Sequence, residues 1–196
     1  STLFPYTTLF RSRSKMIIEI LEWPTEKTWM NVKERALITC GKTPMTPPTS
    51  NWIHRILEAR HSPIRYARYS FRFEGIPSWV ATHFARHVHA QPYIKSQRND
   101  RQNEYDRNAA RQDAPVNMIL DMNAEELMIM ANKRLCMQAA EETRKIMKIM
   151  CDLAIEKTPE LAGLLVPMCE YNGCVCHEMK PCGRWKAENK EDETAG

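Results

Sequence analysis

Two stretches of the chain have the hydrophobic pattern of β-strands. The first, MIIEILEW, begins at Met16 and is mainly aliphatic. The second runs from Tyr66 to Glu74 and alternates aromatic with basic or polar residues, which puts Tyr69, Phe71 and Phe73 on one face. These two stretches predict two strands of a sheet.

Capping residues and helical spacing predict helices around these strands. Thr25 is a suitable N-cap for a helix over residues 27–39, and Thr49 or Ser50 can cap a shorter helix that ends at Glu58. After a turn at Gly75 and Pro77, the spacing predicts a third helix over Ser78–Val88, closed by Pro92. Its inner face is expected to contain Trp79, Phe84 and Val88.

The second half of the chain is predicted to be a polar loop followed by one long helix. Residues 99–113 are strongly polar, whereas Asn123–Glu156 carries apolar residues at helical intervals. Together these elements predict an α+β fold, a twisted and mainly antiparallel sheet packed with helices, with one long helix in the C-terminal half.

Length and composition predict one soluble domain. The chain has 196 residues, 27% of them charged, and no apolar run approaches the roughly 20 residues needed to cross a bilayer. Residues 1–15 precede the first methionine and are interpreted as a non-native leader. We expect a main domain over 16–166, a cysteine-rich element over 167–184 and a polar tail over 185–196, in a cytoplasmic protein.

A cluster of cations suggests an anionic ligand. The net charge is +4, and arginine and histidine crowd the stretch Arg55–Arg111. Arg86 and His87 on a helix, followed by Ser96 and Arg98, can gather two guanidinium groups, an imidazole and a hydroxyl around a phosphate. The alternative is an ordinary solvated basic face.

This cluster resembles the signature of the flavin-dependent thymidylate synthases, R-H-R-x-x-S-x-N-E-x-S-x-R-Y. Arg86 and His87 match its first two positions, Ser96 its second serine and Arg98 its last arginine. An upstream F-x-F strand is also present, and His61, Ser62 and Pro63 resemble the approach to it. The signature is substituted at Val88, Gln91, Ile94 and Asn99.

A second segment resembles the same family, whose members carry N-A-R-S-L, an arginine eleven positions after the asparagine, and then A-Q-x-E-I-R. Asn123 and Ala124 begin this pattern here, and Arg134 is the eleventh residue after Asn123. Glu125 replaces the family's arginine. The further matches are Leu127, Ala139, Glu142 and Arg144.

The resemblance implies a thymidylate synthase-complementing protein fold and FAD-dependent methylation of dUMP to dTMP, with NADPH and methylene-tetrahydrofolate as co-substrates. It implies that Arg134 activates the uracil ring and that a homotetramer shares its sites between subunits. The expected dUMP ligands are Ser96, Arg98, Arg134 and His83. The expected FAD ligands are Arg86, His87 and Asn123.

The C-terminal segment CEYNGCVCHEMKPC suggests a metal site. Cys169, Cys174, Cys176 and Cys182 lie within fourteen positions, and His177 can replace one of them as a ligand. Zinc is the natural guess, but the paired C-x-x-C spacing of common zinc modules is missing. Free structural thiols and an iron–sulfur centre are the alternatives.

Two other functions remain open from the sequence. The same fold can carry altered one-carbon chemistry on a uracil nucleotide, since the substitutions fall on the flavin side of the signature. A non-catalytic zinc and nucleic-acid-binding protein would use Arg65, Arg68, Arg72, Arg86 and Arg98 as its phosphate footprint. No nucleic-acid-binding motif of known spacing supports this last hypothesis.

Overall fold

A computed structural model describes residues 7–8, 16–96, 98, 100, 106 and 108–185. Among them the chain forms an antiparallel sheet packed with helices, so the predicted α+β class is confirmed. The strands are β1 (Thr7–Thr8), β2 (Met16–Glu22), β3 (Arg68–Pro77), β4 (Gln91–Ile94) and β5 (Pro115–Asn123). The helices are α1 (Glu26–Ile38), α2 (Ser50–Glu58), α3 (Ser78–Ala85), α4 (Ala124–Arg134), α5 (Glu141–Lys157) and α6 (Met168–Tyr171). Short 3₁₀ turns cover Ser62–Tyr66 and Pro159–Leu161.

The sheet has the strand order β1-β2-β3-β5-β4, with every neighbouring pair antiparallel. Phe71 in the centre of β3 lies opposite Ile20 of β2 and Leu120 of β5. Tyr69, Phe71 and Phe73 are fully buried, as their spacing predicts. The ring of Phe73 stacks on Phe84 of α3 at 6.0 Å, so helices cover this face of the sheet.

Side-chain capping explains where the first two helices begin. The Thr25 hydroxyl accepts a hydrogen bond from the backbone N–H of Thr28, and the Thr28 side chain accepts one from the Thr25 N–H, which completes a capping box. The Thr49 hydroxyl accepts from the N–H of Trp52 at the start of α2. Both helix starts were predicted from the sequence and are confirmed.

The expected turn at Gly75 and Pro77 is wrong, because β3 continues through both residues. The register with β5 shifts between Phe73 and Ile76, and Gly75 has a φ of +69°. Glycine adopts this left-handed conformation without the steric cost that a Cβ brings, so the residue forms a bulge and not a turn. The Gly75 N–H donates to the Asn117 side chain at 3.1 Å.

The third helix is shorter than its spacing predicts. It ends at Ala85, and Val88, expected on the inner face, is 83% exposed. Pro92 lies within β4, at the edge of the sheet, and not at the end of a helix. An edge strand tolerates proline because only one side of it forms a ladder.

The largest corrections concern residues 115–157. Strand β5 was not predicted, although Val116, Met118, Leu120 and Met122 alternate as buried residues along it. The predicted long helix over 123–156 is two helices, α4 and α5, separated by residues 135–140. Arg144 donates to the backbone carbonyls of Met137 and Ala139, and so satisfies groups that the break leaves outside a helix.

Residues outside the predicted main domain also contact it. Thr7 and Thr8, expected to lie outside the fold, pair with Ile17 and Met16 as β1. In the cysteine-rich element, the Tyr171 hydroxyl donates to the Glu58 carbonyl at 2.6 Å. The remainder of the predicted leader, the end of the tail (186–196) and part of the predicted loop lie outside the described residues. No helix in the described chain is long and apolar enough to cross a membrane.

Candidate functional site

A chain of hydrogen bonds joins Glu126, His87 and Arg134. The Glu126 carboxylate lies 2.9 Å from Nδ1 of His87, and Nε of Arg134 donates to Nε2 of the same ring at 3.0 Å. The side chains of Glu126 and His87 are only 3% and 8% exposed. Glu126 and Arg134 both belong to α4, whereas His87 follows α3, so this relay ties the two helices together.

The hydrogen bonds of the relay determine which nitrogen of His87 carries the ring hydrogen. An arginine Nε always carries hydrogen and can only donate, so Nε2 of His87 must accept with its lone pair. Nδ1 then carries the ring hydrogen and donates a hydrogen bond to the Glu126 carboxylate. This geometry places the ring hydrogen on Nδ1, and both nitrogens of His87 are occupied inside the protein.

Arg134 is held at two points of its guanidinium group. Besides the bond to His87, Nη2 donates to the backbone carbonyl of His83 at 2.7 Å. Of the five guanidinium N–H groups, three have no protein partner in the described part of the chain. Burial, with a further contribution from the charge of Arg86, lowers the pKa of Arg134. The group is thus a fixed cation with donors left for a ligand.

His83 lies beside this cation. Its Nδ1 is 3.0 Å from the Thr143 hydroxyl, and its ring packs edge-on against Trp79 at 5.3 Å between centroids. Burial lowers the pKa of His83, and the charges of Arg134 and Arg86 lower it further. The structure therefore brings His83, His87 and Arg134, three residues predicted at the site, to one place.

Arg86 is the exposed member of the same group. Its side chain is open to solvent at the end of α3, and its charge acts on both His83 and Arg134. Two neighbouring guanidinium groups repel each other, and their combined positive charge attracts an anion. Glu126, a buried carboxylate on the same helix as Arg134, is already bound to His87. The arrangement favours an anionic ligand at this surface.

Ser96 and Arg98 follow β4 and form local contacts. Arg98 makes a two-point ion pair with Asp100 at 2.9 and 2.6 Å, and its N–H donates to the Ser96 hydroxyl at 3.3 Å. The Arg98 side chain is 61% exposed. Among the described residues no hydrogen bond or ion pair joins these two to Arg134. Within the described residues of one subunit, the two halves of the predicted dUMP site are therefore not joined.

Asn123 has a structural role at the start of α4. Its side-chain oxygen accepts from the backbone N–H of Glu126 at 2.9 Å, as an N-cap does. Glu125, where the resembling family has arginine, pairs instead with Arg65 at 2.5 Å. Glu126 itself was missed from the sequence. The available signal was an acidic residue next to Leu127 on the buried face of a helix.

An open cleft lies between α1, α2 and the 3₁₀ turn at Ser62–Tyr66. It has a volume of about 720 Å³, in the range of small-ligand pockets. Arg55 and Asn51 of α2 line it together with His61, Ser62 and Pro63. The last three form the segment that resembles the approach to the F-x-F strand in the synthases. It provides space for a flat ligand beside a cation and an imidazole.

The cysteine-rich element forms a small cavity of about 140 Å³ against α4. The thiols lining it are Cys136, Cys169, Cys176 and Cys182, whereas Cys174 is exposed, with a φ of +69°. Burial raises the pKa of Cys169, and its neighbours Cys136 and Cys176 raise it further. Within the described residues no three His, Cys, Asp or Glu side chains are grouped so as to hold a metal. The predicted four-cysteine set is not assembled here, and zinc binding stays a prediction.

Comparison with known proteins gives one kind of match. No protein-family model and no curated protein matches the sequence. Among solved structures, the chain is similar to a crystal structure of thymidylate synthase X from Helicobacter pylori with FAD and dUMP. The TM-score is 0.61 at 14% identity, over 76% of this chain and 97% of that chain. At this identity the similarity shows the fold: the chain has a fold like that of thymidylate synthase X.

Proposed function

We propose that this protein is a flavin-dependent thymidylate synthase that methylates dUMP to dTMP, with Arg134 as the residue that contacts the uracil ring. The observation that carries the proposal is the fixed position of Arg134 on a fold shared with an enzyme that binds FAD and dUMP. A half-buried arginine with three N–H groups that have no partner in the described part of the chain suits a ligand that presents neighbouring acceptor atoms.

The chemistry assigned to Arg134 is electrostatic. A uracil ring gains negative charge on a carbonyl oxygen as its carbon becomes nucleophilic, and a fixed cation stabilises that charge. The Arg134 donors are held by His87 and by the His83 carbonyl before any ligand arrives, so little reorganisation is needed during the reaction. His83 and its neighbour Thr143 lie at the same place and complete this side of the site.

The cations on the surface are assigned to the phosphate groups. Arg86, exposed beside Arg134, fits an anionic diphosphate such as that of FAD. His87 is not assigned to FAD, because both of its nitrogens are bound within the protein. When bound, FAD with NADPH supplies the reducing equivalents, and methylene-tetrahydrofolate supplies the carbon.

Ser96 and Arg98 are assigned to the dUMP phosphate of a site completed by another subunit. Arg98 is exposed, and among the described residues no hydrogen bond or ion pair joins the pair to Arg134 of the same chain. A homotetramer that places them opposite a neighbour's Arg134 resolves this separation. The phosphate then replaces Asp100 as the partner of Arg98.

Product analysis with purified protein tests the proposal. With FAD, NADPH, methylene-tetrahydrofolate and dUMP, we expect dTMP by mass spectrometry and dUMP-dependent oxidation of the reduced flavin. Arg134→Ala should abolish both with the fold intact, as judged by circular dichroism. A different methylated or hydroxymethylated uracil product supports the altered one-carbon chemistry instead. Binding of DNA with a steep salt dependence and no flavin uptake supports the non-catalytic alternative.

A further inference from the structure

We propose that Glu126 is a positioning residue for Arg134 and acts through His87. The carboxylate keeps the imidazole hydrogen on Nδ1, and this leaves the Nε2 lone pair to accept from the guanidinium group and orient it. The functional consequence rests on the role proposed above for Arg134. The proton assignment does not.

The burial of the relay supports this proposal. A carboxylate that is 3% exposed needs a compensating partner, and the side-chain partner in the described chain is Nδ1 of His87. The first turn of α4 fixes Glu126, because its N–H is capped by Asn123 at 2.9 Å. The carboxylate therefore points at the imidazole from a rigid position.

The direction of each hydrogen bond supports it as well. If the ring proton were on Nε2, two N–H groups would face each other across the 3.0 Å between His87 and Arg134. A doubly protonated ring would have the same clash together with two adjacent positive charges. Glu126 lies against Nδ1 and accepts from it, so it favours the one tautomer that Arg134 tolerates.

The sequence resemblance assigned no role to position 126, and the neighbouring Glu125 serves a different pair with Arg65. The two adjacent acidic residues of α4 thus differ in their burial and in their partners. Glu125 is a partly buried ion-pair residue, and Glu126 is the buried hydrogen-bond acceptor of the relay.

Nitrogen-15 NMR of histidine-labelled protein tests the proposal without any ligand. In the wild type we expect His87 to be neutral with its hydrogen on Nδ1 and a non-protonated Nε2. A hydrogen on Nε2 in the wild type at neutral pH would overturn the proposal, and this reading needs no variant to fold.

Glu126→Gln provides the functional test. Its amide has nearly the same shape but can also donate to Nδ1, so position 126 no longer opposes the tautomer with hydrogen on Nε2, in which the ring cannot accept from Arg134. We expect a mixed His87 tautomer and a loss of about 100-fold in turnover, as for a misplaced reacting group. The matched control is Glu125→Gln, which should leave the His87 signals unchanged. An unaltered tautomer in Glu126→Gln refutes the relay. An altered tautomer in Glu126→Gln, together with a wild-type protein that has no synthase activity, refutes the proposed function alone.

Discussion

Nη2 of Arg134 donates a 2.7 Å hydrogen bond to the backbone carbonyl of His83, 51 residues earlier in the chain. This contact sets a cation beside a partly buried imidazole, and Arg86 adds a second cation. The proposed uracil site is thus built from the end of α3 and the end of α4, which the fold brings together.

The pKa of His83 should respond to these cations. Burial, Arg134 and Arg86 all lower it, so Arg86→Gln should raise the pKa of His83 towards its ordinary value. The measurement is an NMR titration of the imidazole C–H signals. A pKa that does not move in Arg86→Gln contradicts the assigned proximity.

The same shift has a consequence for stability. A histidine whose pKa is lower when folded binds protons more readily when unfolded, so it makes the fold less stable as the pH falls below about 6.5. We expect the free energy of unfolding, measured by chemical denaturation, to fall less between pH 7 and pH 5 in Arg86→Gln than in the wild type. His83→Gln should remove the contribution of this residue.

Asn123 should contribute to stability as a helix cap. Asn123→Ala removes the acceptor for the Glu126 N–H and should lower the free energy of unfolding by about 1 kcal/mol. Asn123→Asp keeps an acceptor oxygen at the N-terminus of α4 and should retain most of the stability. Equal urea denaturation midpoints for the wild type and Asn123→Ala would show that the cap is not needed.

Arg98 should discriminate dUMP from deoxyuridine. Arg98→Gln removes a two-point phosphate donor, so we expect weaker binding of dUMP by calorimetry and unchanged binding of deoxyuridine. Arg111→Gln is a matched control, because Arg111 forms the same kind of exposed pair with Asp113, also two residues away. Equal losses in both variants would indicate a general charge effect instead of a phosphate site.

The cysteines should differ widely in reactivity. Burial raises the pKa of Cys151 to about 12, so little of this thiol is ionised at pH 8. Cys40, Cys174 and Cys182 are exposed. A short iodoacetamide pulse followed by peptide mapping should label these three first and Cys151 only after denaturation. Rapid native labelling of Cys151 would contradict its position in the core.

Local signals in the sequence predicted the elements that depend on local interactions. The helix starts at Thr25 and Thr49 follow from side chains that bond within their own first turn, and the buried face of β3 follows from its alternation. The break after Arg134 could not be predicted in this way. No glycine or proline marks residues 135–140, and Arg144 satisfies the turn from the next helix.

The site was predicted only in part, because local signals do not show how α3 and α4 pack together. Arg86, His87 and Arg134 were found through motif spacing, but the contact between His87 and Arg134 spans 47 residues and depends on how α3 and α4 pack. Glu126 became visible only with that packing. Strand β5 was missed because two of its four buried positions hold methionine, and only Val116 among them is a β-branched residue of the kind that usually indicates a strand.

Calorimetric titration of dUMP into the FAD-loaded protein tests the central claim most directly. Wild-type protein should bind dUMP saturably, and Arg134→Gln, which keeps much of the side chain's length but not its charge, should bind at least about tenfold more weakly, the loss of one charged hydrogen-bonded contact. Equal affinity in the two proteins, or no binding to the wild type, would contradict the assignment of Arg134 to the uracil ring.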